Sequence, residues 1–160
     1  MWRFLAVFGL ALLALSRPVA AEPAPALTVP TLAGPSFDLA ALRGHVVIVN
    51  FWATWCVPCR AEMPMLDAFY KKHKDQGLVM LGLSIDTPKA LDSVKKIAGT
   101  VSYPIAVARD AQANGFPAAN ALPITYVIDA QGQVRATVMP EEQGLGEDKL
   151  AALVEPLLKK

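Results

Sequence analysis

The chain has 160 residues, 54% of them hydrophobic, with 15 basic against 14 acidic side chains and two cysteines. A formal charge of +1 leaves no basic surplus for nucleic acid or an acidic membrane surface. The length suits one domain whose core needs no disulfide staples.

Arg3 supplies a short positive stretch, and the uncharged run Phe4 to Leu15 leads to Val19-Ala20-Ala21, small residues spaced for cleavage before Glu22. The apolar run falls short of the roughly 20 residues that span a bilayer. Residues 1–21 therefore read as a cleaved export signal, with an uncleaved N-terminal anchor as the alternative, and 22–160 as one domain. No cysteine stands near the junction to carry a lipid. Losing Arg3 and Arg17 takes the 15 basic residues to 13 against 14 acidic ones, a formal charge of −1.

Glu22 to Ala26 is a Pro/Ala-rich lead-in. Leu27 to Leu42, with a Gly34-Pro35 turn signal, reads as a small hairpin. Val46 to Phe51 is a continuous apolar, β-branched run, the pattern of a strand buried on both faces. From Val57 to about Gln76, Met63, Leu66, Phe69 and Tyr70 follow helical spacing; Pro64 should kink this helix and Gly77 stop it. Leu78 to Ile85 is a second buried strand, after which Asp86-Thr87-Pro88 opens a helix with a capping residue and an early proline.

That helix runs to about Ala98 and is followed by a strand at Pro104 to Ala108 and a short helix near Ala111 to Ala119. Ile124 to Ile128 and Gln133 to Val138 are strands around the turn Asp129-Ala130-Gln131-Gly132. Gly146 to Leu158 is a closing amphipathic helix. The alternation, ending in an antiparallel hairpin, indicates an α/β fold with a mixed sheet and helices on both faces.

The two cysteines stand in Trp55-Cys56-Val57-Pro58-Cys59. In an oxidising compartment a lone pair is usually a staple. A bridge across three residues, however, closes a tiny loop and removes little unfolded-state entropy. The junction of strand and helix favours chemistry instead: N–H groups and the helix dipole lower the pKa of a thiol at Cys56. Cys59, one turn further in, is less accessible. Cys56 is thus the nucleophile and Cys59 the thiol that resolves a mixed disulfide. Trp52 and Trp55 either form an apolar surround or belong to the core.

Metal binding is the competing use of such a pair. Zinc takes four ligands, and no second Cys pair or His pair is present; His45 and His73 read as isolated surface residues. Copper(I) needs fewer soft ligands, so Met63 or Met65 keeps a Cu(I)-carrier reading open. A redox-inactive client-binding module is a third. Glu62 follows Cys59 by three, on the same helix face. It serves equally as a proton carrier for Cys59 or as a solvated first-turn acid. Asn50 reads as hydrogen-bonded structure. Pro123 starts the strand after Leu122, and sequence alone favours a trans bond there.

The run Phe51 to Pro64 (FWATWCVPCRAEMP) resembles the thioredoxin superfamily, and closely its TlpA/ResA-like periplasmic thiol:disulfide oxidoreductases. Phe37-Asp38-Leu39, Leu42-Arg43-Gly44 and the segment Leu122 to Asp129 extend the likeness over the domain. It implies a thioredoxin-like fold: a mixed β-sheet flanked by helices, with an N-terminal β-hairpin and an inserted helix-strand unit at about Thr87 to Ala108. Pro123 would be cis beside Cys56, and Trp55, Val57, Pro58 and Leu122 would share with it the contact to a client chain added as a strand. Glu62 would be the functional acid near the resolving cysteine.

Asn50 stands where general thioredoxins carry Asp, so their proton chemistry is not transferred, and Val57-Pro58 departs from their Gly-Pro. Peroxiredoxins share the core but carry Thr three residues before the peroxidatic Cys, whereas Thr54 is two before Cys56. The likeness implies a monomeric periplasmic protein-disulfide reductase needing no cofactor. Its clients would be apocytochrome c or copper-site proteins, and its electrons would come from a membrane thiol carrier.

Overall fold

Seven consecutive buried residues, Val46–Trp52, form the strand around which the chain is organised. The computed structural model describes residues 22–140 and 145–158. The expected export signal, residues 1–21, lies outside them. No described helix is long and apolar enough to cross a membrane.

In chain order the strands are β1 (Glu22–Pro23), β2 (Leu27–Val29), β3 (Phe37–Asp38), β4 (Val46–Trp52), β5 (Leu78–Ser84), β6 (Ile105–Val107), β7 (Ala113–Asn114), β8 (Ile124–Ile128) and β9 (Gln133–Val138). The helices are α1 (Val57–His73), α2 (Leu91–Ala98) and α3 (Glu147–Val154), with short 3-10 turns between elements. Six strands form a mixed sheet in the order β1-β9-β8-β4-β5-β6, and β3-β2-β7 form a second, smaller one. β4 lies parallel to β5, with Val46 opposite Leu78 and Trp52 opposite Ser84. On its other side it is antiparallel to β8, with Phe51 opposite Ile124.

The two faces of β4 feed separate cores, as a period of two requires. Val46, Ile48 and Trp52 pack with Met63, Leu66 and Phe69 of α1, Val94 of α2, and Leu150 and Val154 of α3. Val47, Val49 and Phe51 pack with Leu27, Val29, Phe37 and Phe116. All three α-helices therefore cover one face, which corrects the expectation of helices on both. The second face is covered by the small sheet because Leu27 and Val29 bury alternate side chains against it.

The short helix expected near Ala111 to Ala119 is absent. Its alanines favour a helix, but Gln112 N–H donates to Thr28 O and Gly115 N–H to Ala26 O, both at 2.8 Å, so the segment pairs with β2. Phe116 then packs 4.7 Å from Tyr126 and 5.6 Å from Phe51, ring centre to ring centre. Tertiary pairing overrides propensity here.

α1 continues through Pro64, which supplies no N–H to the preceding turn. It ends in a 3-10 turn at Gly77, whose φ of 90° suits glycine. His73, expected at the surface, is buried at the end of α1. Its Nδ1 is 2.8 Å from Gln76 Oε1, its Nε2 is 3.3 Å from Glu155 Oε1, and its ring lies against Phe69.

The sheet edges are short or covered. β6 meets Thr31 in an isolated bridge to Ala106, and Leu32 N–H donates to Ile105 O at 2.8 Å. β1, at the other edge, has two residues, one of them Pro23.

Candidate active site

β4 ends at Trp52, and a tight turn closed by Cys56 N–H donating to Ala53 O (3.1 Å) carries the chain into α1. Cys56 is the N-cap of α1, with extended backbone (φ −82°, ψ 100°), and Pro58 lies in the first turn. Cys59 N–H donates to Cys56 Sγ at 3.3 Å. A sulfur there faces the unpaired N–H groups and positive end of a 17-residue helix, which favour its thiolate once reduced. The sulfurs are joined, at 1.98 Å, with Cα atoms 5.3 Å apart.

Both cysteines are largely covered, Cys56 5% and Cys59 2% exposed, so they differ little in accessibility in the oxidised form. Their surround is uneven. Trp55 and Val57 are 67% and 65% exposed, and Pro58 is exposed as well. Trp52 is wholly buried, so of the two tryptophans only Trp55 faces solvent. Met63 is buried in the same core cluster as the cysteines, and Met65 is half-buried.

The Leu122–Pro123 bond is cis, the geometry the family likeness implied and the residues alone did not favour. With Ile124 opposite Phe51, continuing the antiparallel register sets Pro123 opposite Trp52, at the end of the sheet where Cys56 lies. Pro123 is buried and Leu122 half-buried. Asn50 is buried, and its Nδ2 donates to Thr125 Oγ1 at 3.0 Å, holding β4 to β8 below the site.

Glu62 faces inward, 8% exposed. Its Oε1 accepts the N–H of Leu145 at 2.8 Å, while Oε2 is buried without a partner. Burial pushes its pKa above the usual carboxylate value, and the Leu145 N–H opposes that shift. The residue is not the solvated first-turn acid that spacing also allowed.

In Asp86-Thr87-Pro88 the cap position falls on Thr87, and Asp86 is used elsewhere. Its Oδ2 accepts from Thr54 N–H (2.9 Å) and Ser84 Oγ (2.7 Å), and its Oδ1 accepts from Thr54 Oγ1 (2.7 Å). It makes no cap bond to the 3-10 turn that leads into α2. The carboxylate instead clamps the turn two residues before Cys56. The register of Trp52 with Ser84 is the signal that would have placed Asp86 there, since it brings the residues after β4 beside those after β5.

The architecture has clear counterparts. A family model described as AhpC/TSA family matches residues 20–137. Thiol-disulfide oxidoreductase ResA of Geobacillus kaustophilus is 35% identical over 72% of this chain and 66% of its own. The ResA of Bacillus cereus is 31% identical over 74% of this chain and 69% of its own. The matched part thus spans about two thirds of these relatives. The crystal structure of a thiol:disulfide interchange protein of the thioredoxin family from Chlorobium tepidum superimposes with a TM-score of 0.69 at 27% identity, covering 88% of this chain and 99% of that one.

Proposed function

The chain belongs to the AhpC/TSA family as a TlpA/ResA-like thiol-disulfide oxidoreductase of the thioredoxin superfamily, and from that footing we propose that it reduces client disulfides through Cys56 and Cys59. The reduced Cys56 thiolate attacks one sulfur of the client bridge, and the other sulfur leaves as a thiolate that takes up a proton. Cys59 then loses its proton and attacks Cys56 Sγ, which frees the client's second thiol and forms the protein disulfide. Two electrons have passed to the client, and a thiol donor must restore the dithiol.

The observation that carries this reading is Cys56 Sγ at the N-cap of α1 accepting the Cys59 N–H. Glu62 serves as the proton carrier for Cys59, supported by its buried, unpartnered Oε2 one helical turn away. Trp55, Val57 and Pro58 with Leu122 and cis-Pro123 form the client-contact surface. The exposed apolar side chains of Trp55 and Val57 support it, as does the absence, among the described residues, of backbone hydrogen bonds from Pro117 to Leu122 outside the strands, where an added chain could pair.

Residues 1–21 act as the export signal, residues 22–160 form the working domain, and the periplasm is the compartment. Apocytochrome c and copper-site proteins are the client classes, with a membrane thiol carrier as electron donor and a monomer as the working unit. The test is the reduction potential of the Cys56–Cys59 couple in a glutathione buffer. A value near that of thioredoxin, about −270 mV, supports reduction; one near DsbA, about −120 mV, reverses the direction.

A further inference from the structure

Resting on the reductase reading, we propose that the groove between α1 and α2 is a second client-contact surface, receiving a carboxylate carried by the client chain close to the cysteine under attack. Two depressions of ≈ 420 and ≈ 310 Å³ share Arg60, Ile97 and Thr100 and so form one groove. The part nearer the disulfide is lined by Thr54 and Trp55 and edged by Arg60 and Lys96. It lies against the inserted helix, whereas Pro123 continues the register of β8, on the other side of β4 from β5.

The charges along the groove are unequal. Arg60 and Lys96 enter no ion pair among the described residues. The acid at the far end, Asp67, is already engaged: Lys71 Nζ is 2.6 Å from its Oδ2, and Ser102 donates its N–H and its hydroxyl to Oδ1. Asp86, beneath Thr54, is occupied by Thr54 and Ser84. Among the described residues, Arg60 and Lys96 are thus the groove's two cations without an ion-pair partner.

The reach fits a client residue near the bond that is cleaved. Arg60 sits one turn after Cys56, its N–H on Cys56 O at 3.2 Å, an advance of about 5.4 Å along the helix. An extended client chain advances about 3.3 Å per residue. An Asp or Glu two residues from the attacked cysteine thus comes level with Arg60, with Lys96 on the opposite wall. Trp55 at the mouth gives the intervening chain an apolar wall.

The experiment uses the reduced full chain and three disulfide peptides that carry Glu, Gln or Lys two residues from one cysteine. The Glu peptide should be reduced with a kcat/KM about threefold above the Gln peptide and about tenfold above the Lys peptide at low salt, converging near 1 M ionic strength. Lys96→Glu and Arg60→Gln should each bring the Glu/Gln ratio to one or below. Lys74→Glu, roughly 21 Å along α1 from Arg60 at 1.5 Å per residue, should keep the wild-type ratio. A wild-type ratio of one, a ratio unmoved by Lys96→Glu, or equal loss with Lys74→Glu overturns the groove. Reduction of no peptide at all overturns the reductase reading instead.

Discussion

Glu62 and Asp86 are both buried carboxylates that meet the segment around the Cys56–Cys59 bridge, Glu62 from α1 itself and Asp86 through Thr54, and they are used in opposite ways. Asp86 accepts three hydrogen bonds, two of them from Thr54. Glu62 accepts one, from Leu145, and keeps an oxygen buried with no partner. Buried polar atoms left unpaired are costly, and a fold keeps few of them without a use. The comparison separates a carboxylate whose bonds hold the turn before Cys56 from one that keeps an oxygen free, the feature on which the proposed proton-carrier role rests.

The largest effect should come from Cys59→Ser, which removes the thiol Glu62 is assigned to serve. The client then stays attached to Cys56 as a mixed disulfide, visible as a covalent adduct by mass spectrometry. With Cys59 intact, Glu62→Gln should slow release of that adduct about 100-fold, the scale of a lost proton carrier, with the first attack by Cys56 unchanged in stopped-flow traces. Equal slowing of both steps would erase the distinction from Asp86.

Asp86→Asn should act on both steps and on stability. An amide nitrogen in place of one oxygen strands a donor, at a cost of about 2 kcal/mol in chemical denaturation of the oxidised protein. Thr54→Val should cost about 1 kcal/mol, and Thr54→Ser, which keeps the hydroxyl, should behave as wild type.

The smallest effect is a pH slope. Burial raises the Glu62 pKa above 4.5, so the folded chain binds that proton more tightly than the unfolded one. Its stabilising contribution is complete below 4.5 and lost as pH rises through the raised value. The stability difference between wild type and Glu62→Gln should therefore shift against wild type from pH 4 to pH 7. A shift of the opposite sign would mean that the Leu145 bond outweighs burial.

Legibility followed the range of the interactions. β4 was readable because both its faces are buried, and Cys56 because the junction of strand and helix is written in consecutive residues. The spacing of Cys59 and Glu62 was readable too, since three residues on a helix share a face. The Leu145 N–H that meets Glu62 comes from 83 residues away and the Thr54 hydroxyl that meets Asp86 from 32, and no local pattern announces such partners. Asp86-Thr87-Pro88 carries a genuine capping signature, but the cap position falls on Thr87, and the Asp86 carboxylate is bound by Thr54 and Ser84. His73 reads as a surface residue from its neighbours in sequence, and one of the groups it meets in the fold, Glu155, lies far along the chain, beyond α3.

The covered sheet edges bear on what else this molecule can hold. Disulfide-bearing clients that are not yet folded offer long stretches of backbone to any unpaired strand. The bridge of Thr31 to Ala106 and the bond from Leu32 to Ile105 screen one rim, and the two-residue β1 with its proline blunts the other. A passing chain finds few places to stick along the flanks. Turnover then owes something to how little of the surface is adhesive, and a variant that bared β6 would be expected to jam on its own clients.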